Sequence, residues 1–353
     1  MPPRSTAPRP ITQRELNRTL LARQLLLERA DVDVPKALER IGGLQAQYAP
    51  AMYVGLWSRV ANFTRDDLTR ALEHAKVAQG TLQRATIHLV SKHDYWPFAL
   101  AVRDARRAWW LRVQRHNATD SELALLAKQL RARLDANSPL TRRQVDEITG
   151  GAERIGGVNL WLDLVRVPPS GTWERRKADL FAAAEDWLGP PPDDLDVERA
   201  TAHVVTRYLG GFGPATVAEI ANWSGLRPTT VTRALMTLKT RALQAENGDE
   251  LVDLARAPLA HPDTPAPVRF LPVWDATLLA HARRALVIKE DDRGRIFNTR
   301  TPHSLNTFLV EGQVAGTWHV EKGRIKLDPF GNLSAKARRE LNDEADRLAT
   351  FHC

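Results

Sequence analysis

The sequence predicts a mainly helical α+β chain built from three tandem winged-helix units followed by a C-terminal antiparallel β-rich region. Three observations lead there. Between 197 and 257, two short apolar-periodic segments flank the small-residue turn Ser224-Gly225-Leu226, and ALQAENGDELVDL then reads as a hairpin about Asn247-Gly248. That is helix, turn, helix and wing. Residues 120–196 give helix, helix, helix and a basic Pro/Gly ribbon, the same layout. After Pro258 helical periodicity gives way to β-branched runs separated by Asp-Arg-Gly, Glu-Gly and Glu-Lys-Gly. A chain of 353 residues suits several units at roughly 100–200 residues each.

The elements follow in order. MPPRSTAPRP is a short basic, proline-rich stretch, expected to be a disordered tail over 1–10 with no apolar segment of a secretory signal behind it. The first unit, 11–119, opens with ITQRELNRTLLARQLLLER, capped by Thr12 with Glu15 three residues on. VPKALERIGGL gives a short helix stopped at Gly42-Gly43, and Thr64 before Asp66-Asp67 starts another. TLQRATIHLVS alternates and reads as one strand, before a long basic helix with Trp109-Trp110 inside it. In the second unit, 120–196, an amphipathic helix precedes a shorter one capped by Ser138 or Thr141. In the third, 197–257, Thr229-Thr230 is expected to cap the helix that carries Val231, Leu235 and Leu238. The region 258–353 should hold strands in ALVIKEDDRGRIF, TFLVEGQVAGTW and HVEKGRIKLDPF, and a closing charged helix.

Composition removes several classes of function. Cys353 is the single cysteine, so an intrachain disulfide or cysteine-built metal site is excluded. No run of about 18 apolar residues exists to span a membrane, and a cytoplasmic, nucleoid-associated protein is expected. A net charge of +8 with a pI near 9.9 suits a polyanionic partner. The Arg-, Ala- and Leu-rich composition also suits a high-GC bacterium. Winged helices grip phosphates through basic recognition helices and wings, and they also serve as protein-interaction modules. Arg103, Arg106, Arg107, Arg112 and Arg115 form a basic row, either phosphate-contacting or simply solvated. Phosphate loop, HExxH and nucleophile elbow are all absent, and no cofactor is expected.

Two stretches stand out. In GLQAQYAP, a helix would set Gln45 and Gln47 roughly 200° apart, whereas an extended segment puts both on one side. Gly42-Gly43 before them and Pro50 after them favour extension. Two neutral amides then converge on one small object such as a water, although exposed glutamines are also common without a role. In TLQRATIHLV, Arg84, Thr86 and His88 at i, i+2 and i+4 would share one strand face, an odd polar stripe for a core; a structural histidine is the plainer reading.

Taken together, GLQAQYAP, TLQRATIHLV, PVWDATLLAHARR and TFLVEGQVAGTW, in that order and spacing, resemble the AlkZ/AlkX-type (YcaQ-like) tandem winged-helix DNA glycosylases over about residues 10–350. The resemblance implies a concave surface for double-stranded DNA and excision of alkylated purines. For some members it implies unhooking of interstrand crosslinks, and for the AlkZ branch self-protection of antibiotic producers. The family's glutamine–apolar–glutamine motif falls on Gln45 and Gln47; the AlkX branch has aspartate second, so Gln47 sides with AlkZ. On this reading the chain is a monomeric, monofunctional glycosylase for cationic N7-alkylguanine, including crosslinks and bulky natural-product adducts. Nothing in the sequence suggests a lysine nucleophile for strand cleavage. Arg84, Thr86, His88, Arg107, Arg284 and Gly312 are then candidates for DNA or lesion contact, with the Glu311-Gly312 hairpin entering a groove. Asp275 and His281, in the third motif, are expected first as structural support, as is Arg284. The alternative is a non-catalytic tandem winged-helix DNA-binding protein, regulator or architectural factor, which would tolerate loss of both glutamines.

Overall fold

The computed structural model describes residues 8–114, 116–280, 286–298 and 303–353. Strand β1 (Arg9–Ile11) pairs in parallel with residues 243–245, so the expected tail is ordered from Arg9 onward. Helix α1 (Gln13–Arg23) starts where Thr12 Oγ1 accepts the Glu15 amide at 3.1 Å. Helix α2 (Val34–Ile41) is capped by Asp33 and ends on Gly42, whose φ of 78° is left-handed and favours a residue without Cβ. Strand β2 (Leu44–Gln45) follows at once, then α3 (Ala49–Trp57) and α4 (Arg65–Glu73), the latter closed by a Thr64/Asp67 capping box.

TLQRATIHLVS is not one strand. It is β3 (Val77–Thr81), a 3₁₀ turn Gln83–Ala85, and β4 (Ile87–Ser91). Arg84 and Ala85 take left-handed φ of 50° and 56°. The break comes from α5 (Lys92–Val113), whose Arg106 guanidinium donates to the Thr81 and Leu82 carbonyls, while the Leu82 amide closes on the Thr86 carbonyl at 2.9 Å. These tertiary bonds outweigh the local β-propensity of a Thr/Ile/Leu/Val run. Only Thr86 and His88 therefore keep the expected two-residue strand spacing.

The second unit comprises α6 (Asp120–Asn137), β5 (Leu140–Thr141), α7 (Arg142–Thr149), α8 (Ala152–Val158), β6 (Leu164–Arg166), β7 (Leu180–Ala183) and α9 (Ala184–Leu188). Thr141, rather than Ser138, caps α7, in a capping box with Gln144. Strand β6 pairs with both β3 and β7, giving one continuous sheet in the order β2-β4-β3-β6-β7-β5. The first two units thus share a sheet. The basic row on α5 is largely turned inward: Arg103 bonds Asp163 at 2.6 Å, and Arg106 is buried. Arg107 donates to the Leu160 carbonyl at 2.7 Å and lies 5.0 Å over the Trp161 ring. Arg112 remains exposed, and Arg115 lies outside the described residues.

The third unit is α10 (Val197–Phe212), α11 (Val217–Ser224), α12 (Pro228–Leu235), β8 (Thr240–Ala245) and β9 (Glu250–Leu254). Gly225 ends α11 at φ 78°. Helix α12 opens on Pro228 behind Arg227, so Thr229-Thr230 lie inside its first turn instead of capping it. The cuts at 120, 197 and 258 fall between elements, yet the largest apolar core joins residues of α1, α5, α10, α11 and β8.

The C-terminal region holds β10 (Arg269–Leu271), α13 (Ala276–Leu279), α14 (Glu290–Ile296), a short ribbon β11 (Phe297–Asn298) and β12 (His303–Ser304), then β13 (Thr307–Val310), β14 (Gln313–Glu321), β15 (Arg324–Pro329) and α15 (Ala335–His352). The main sheet runs β10-β13-β14-β15, antiparallel throughout. EDDRGRI, expected as a turn between strands, is helix α14, with Glu290–Arg293 and Asp292–Arg295 pairs at i,i+3 and three acids at its N-terminus. A second core joins this sheet and α15 to α2, α3 and α4 through Phe270, Trp318, Leu341 and Leu348. It fixes the segment between α2 and α3 against the C-terminal region.

Candidate active site

Gln45 and Gln47 meet. Gln45 Nε2 donates to Gln47 Oε1 at 2.6 Å, with Gln47 exposed and Gln45 half-buried. The local cause is the β2 ladder. Gln45 pairs with His88, and the Ala46 amide donates to the Ile87 carbonyl at 2.8 Å, which carries the extended register one residue further. Ala46 is 3% exposed and packs in the second core, so its neighbours on both sides point outward together. The motif needs a small apolar centre because that residue is the anchor.

In an antiparallel pair, residues directly opposite share a face, so His88 stands beside Gln45. Its Nδ1 lies 3.1 Å from the Thr86 carbonyl, which only accepts, so Nδ1 carries the proton and Nε2 keeps a lone pair. Burial, with smaller contributions from Arg84 and Arg106, pushes its pKa down to about 3, leaving a neutral imidazole at neutral pH. Thr86 Oγ1 donates to the Gln83 carbonyl at 3.1 Å and sits 3.4 Å from His88 Nδ1. Gln45, Gln47, Thr86 and His88 are thus all uncharged side chains, suited to orienting a water and unsuited to delivering a proton.

The other candidates lie elsewhere. Arg84 Nη1 reaches the Trp223 carbonyl at 3.3 Å in the third unit, half-buried, and desolvation lowers its pKa. Arg107 braces the second unit, as described. Gly312 is buried against α1: Asn17 Nδ2 donates to its carbonyl at 2.9 Å, and a Cβ there would come within 2.5 Å of Arg18 Nη1. Gly312 is therefore docked on the protein, while the Glu311 side chain stays exposed. Arg284 and His281 lie outside the described residues. Asp275 is buried and paired with Arg59 at 2.8 Å, a structural role.

Among the described residues, one His/Asp cluster has metal-like spacing, His93, Asp94 and His203. Its carboxylate already accepts from His203 at 2.7 Å and Arg207 at 2.9 Å, so a cation occupies the place a metal would take. A cavity of about 330 Å³ opens beside the glutamine turn, lined by Tyr48, Val54, Arg176, Trp318 and His352. No local sequence signal points to it, because its walls come from segments up to some 300 residues apart. A larger cavity, about 980 Å³ near α1 and the 311–312 turn, is lined by Val310, Glu311, Gln313, Val314 and Ala315 of the fourth motif and by neither Gln45 nor Gln47.

The profile of the family described as DNA glycosylase AlkZ-like matches residues 38–351. The chain belongs to that family. It is an AlkZ-like DNA glycosylase acting on DNA, with no helix among the described residues long and apolar enough to cross a membrane. A curated relative, the "Interstrand DNA cross-link repair glycosylase" of Streptomyces sahachiroi, is 22% identical over 93% of each chain. The solved structure "Streptomyces sahachiroi DNA glycosylase AlkZ" superposes with a TM-score of 0.81 at 18% identity, covering 97% of both chains. That likeness places this AlkZ-like chain in the same fold.

Proposed function

We propose that this AlkZ-like glycosylase hydrolyses the N-glycosidic bond of cationic N7-alkylguanine in double-stranded DNA, with Gln45 and Gln47 holding the attacking water. The meeting of the two neutral amides beside the neutral His88 carries the reading. Gln47 Oε1 has a second lone pair beyond the one that Gln45 uses, and Gln45 Oε1 is a further acceptor. Both carbonyl oxygens accept from one water and aim its oxygen at the sugar C1′.

The chemistry matches what amides supply. Alkylation at N7 makes guanine cationic, so it leaves as a neutral base with no general acid. Water adds to an oxocarbenium-like centre. The products are free alkylguanine, an abasic site and one proton released to solvent. No amine is needed, and monofunctional hydrolysis follows. The cavity beside the turn, with Tyr48 and Trp318 in its walls, supports room for a bulky adduct or crosslink partner. The curated relative's name supports crosslinks as a substrate class. Three winged-helix units in one chain support a monomer gripping duplex alone, checked by light scattering.

The test is a duplex carrying one N7-methylguanine, followed by one carrying an N7–N7 crosslink. Released base and alkali-revealed abasic sites are the readouts. Release by wild type, with Gln45→Ala and Gln47→Ala bound to DNA but slow, is the expected result. Equal rates for both variants and wild type would end the water-holding role.

A further inference from the structure

Arg84 occupies an unusual position. It sits at the tip of the turn between β3 and β4 with a left-handed φ of 50°, followed by Ala85 at 56°. Non-glycine residues rarely adopt this conformation, and two in succession persist only where surrounding contacts hold them. Those contacts come from two sides. Beneath the turn, buried Arg106 of α5 binds the Thr81 and Leu82 carbonyls. Above it, Arg84 Nη1 donates to the Trp223 carbonyl at 3.3 Å, and its backbone amide lies 3.5 Å from where a Gly225 Cβ would stand. Trp223 and Gly225 form the end of α11, inside the helix–turn–helix of the third unit. The Trp223 ring is fixed in turn among Phe98, Tyr208 and Phe212 at 5.1–6.1 Å.

The other end of this chain of contacts is the candidate active site. From Arg84 the backbone runs through Thr86, which anchors His88, and His88 lies opposite Gln45. The helix–turn–helix continues into α12, which exposes Arg227 at its N-cap, Thr229 in its first turn and Arg233 in its last. Residues of these types contact phosphates at recognition helices.

We propose that Arg84 is a positioning residue that clamps the helix–turn–helix of the third unit to the strand bearing His88, so that a duplex held on α12 is registered against Gln45 and Gln47. Arg84 then contacts neither phosphate nor lesion. The proposal deepens the reading that these glutamines hold the water. An error of about 1 Å in placement costs on the order of 10²-fold in rate, so a loosened clamp appears in turnover before it appears in affinity.

The experiment measures single-turnover base release at saturating enzyme, and duplex affinity at several salt concentrations, for wild type, Arg84→Met and Arg84→Lys on the N7-methylguanine duplex. Arg84→Met is expected to keep its Kd within about threefold and its salt slope unchanged, while the saturated rate falls roughly 10- to 100-fold. Arg84→Lys, still able to donate to the Trp223 carbonyl, should recover most of that rate. A phosphate-contacting Arg84 gives the opposite pattern: the saturated rate is kept, Kd weakens and the salt slope drops by about 0.9. That pattern, or an unchanged rate with unchanged Kd, overturns the clamp. If Arg84→Met does not fold at the assay temperature, Arg84→Gln is measured by the same two readouts. Absence of base release by wild type itself would strike the water-holding reading, and so is distinguishable from failure of the clamp.

Discussion

Removing the Asp275 carboxylate should destabilise this protein strongly without touching its chemistry. Arg59 and Asp275 are both buried, and the guanidinium meets the carboxylate in two bonds of 2.9 and 2.8 Å. Arg59 also donates to the Gly55 carbonyl and Thr277 Oγ1 at 3.0 Å, and Asp275 Oδ1 caps α13 by accepting the Thr277 amide at 2.9 Å. Asp275→Ala leaves a desolvated guanidinium without its anion, a loss of about 3–5 kcal/mol. Loss of the cap adds about 1 kcal/mol. Against a typical total of about 5–15 kcal/mol this is a large fraction. With a urea slope of ~3 kcal/mol per M, the unfolding midpoint should fall by ~1–2 M. The double variant Arg59→Met/Asp275→Leu removes both charges and should regain most of the loss. Neither residue faces solvent, so base release by still-folded Asp275→Ala at saturating enzyme should stay within about threefold of wild type. A midpoint unchanged within error would refute the reasoning, as would a folded variant that has lost its rate.

Gln47→Ala removes one aligned acceptor and should lower the saturated rate of base release about 10²-fold, while thermal unfolding shifts by under about 1 kcal/mol because the side chain is exposed. Uracil, a neutral base that leaves as an anion without a general acid, should be released far more slowly than N7-methylguanine in the same duplex context. His88 is neutral in the folded state, with a pKa of about 3 against 6.5 unfolded. The unfolded chain therefore binds more protons between these values, and stability is full above pH 6.5 and falls on acidification toward pH 3. The share lost from His88 by pH 5 is at most about 2 kcal/mol. His88→Asn should remove about half of the histidine contribution to the urea-midpoint-versus-pH slope there, leaving a comparable contribution from His352, whose pKa burial lowers to about 4.

Much of the helical order was legible locally. Caps at Thr12, Thr64 and Thr141, the stop at Gly42 and the turn at Gly225 are short-range signals, because a cap is satisfied within three or four residues of itself. The Gln45/Gln47 pair was legible for the same reason: alternation about a small apolar residue is a local geometric fact, and the β2 ladder realised it. The misreadings have two causes. TLQRATIHLV carries the composition of a strand, and EDDRGRI looks like a turn. The first is bent by Arg106, a side chain on the next helix, and the second is drawn into a helix by its own charge pairs.

The sequence by itself determined the family motif and the facing of the two glutamines, each set by spacing within a few residues. Tertiary structure alone decided where the arginines go. Arg84 turns into the third unit, Arg107 onto the second, and Arg59 into a pair with Asp275, 216 positions away. A guanidinium on a long flexible stem reaches partners that the chain brings near only after the cores have formed. Its destination is fixed by desolvation and by whichever carbonyl or carboxylate lies within about 3 Å.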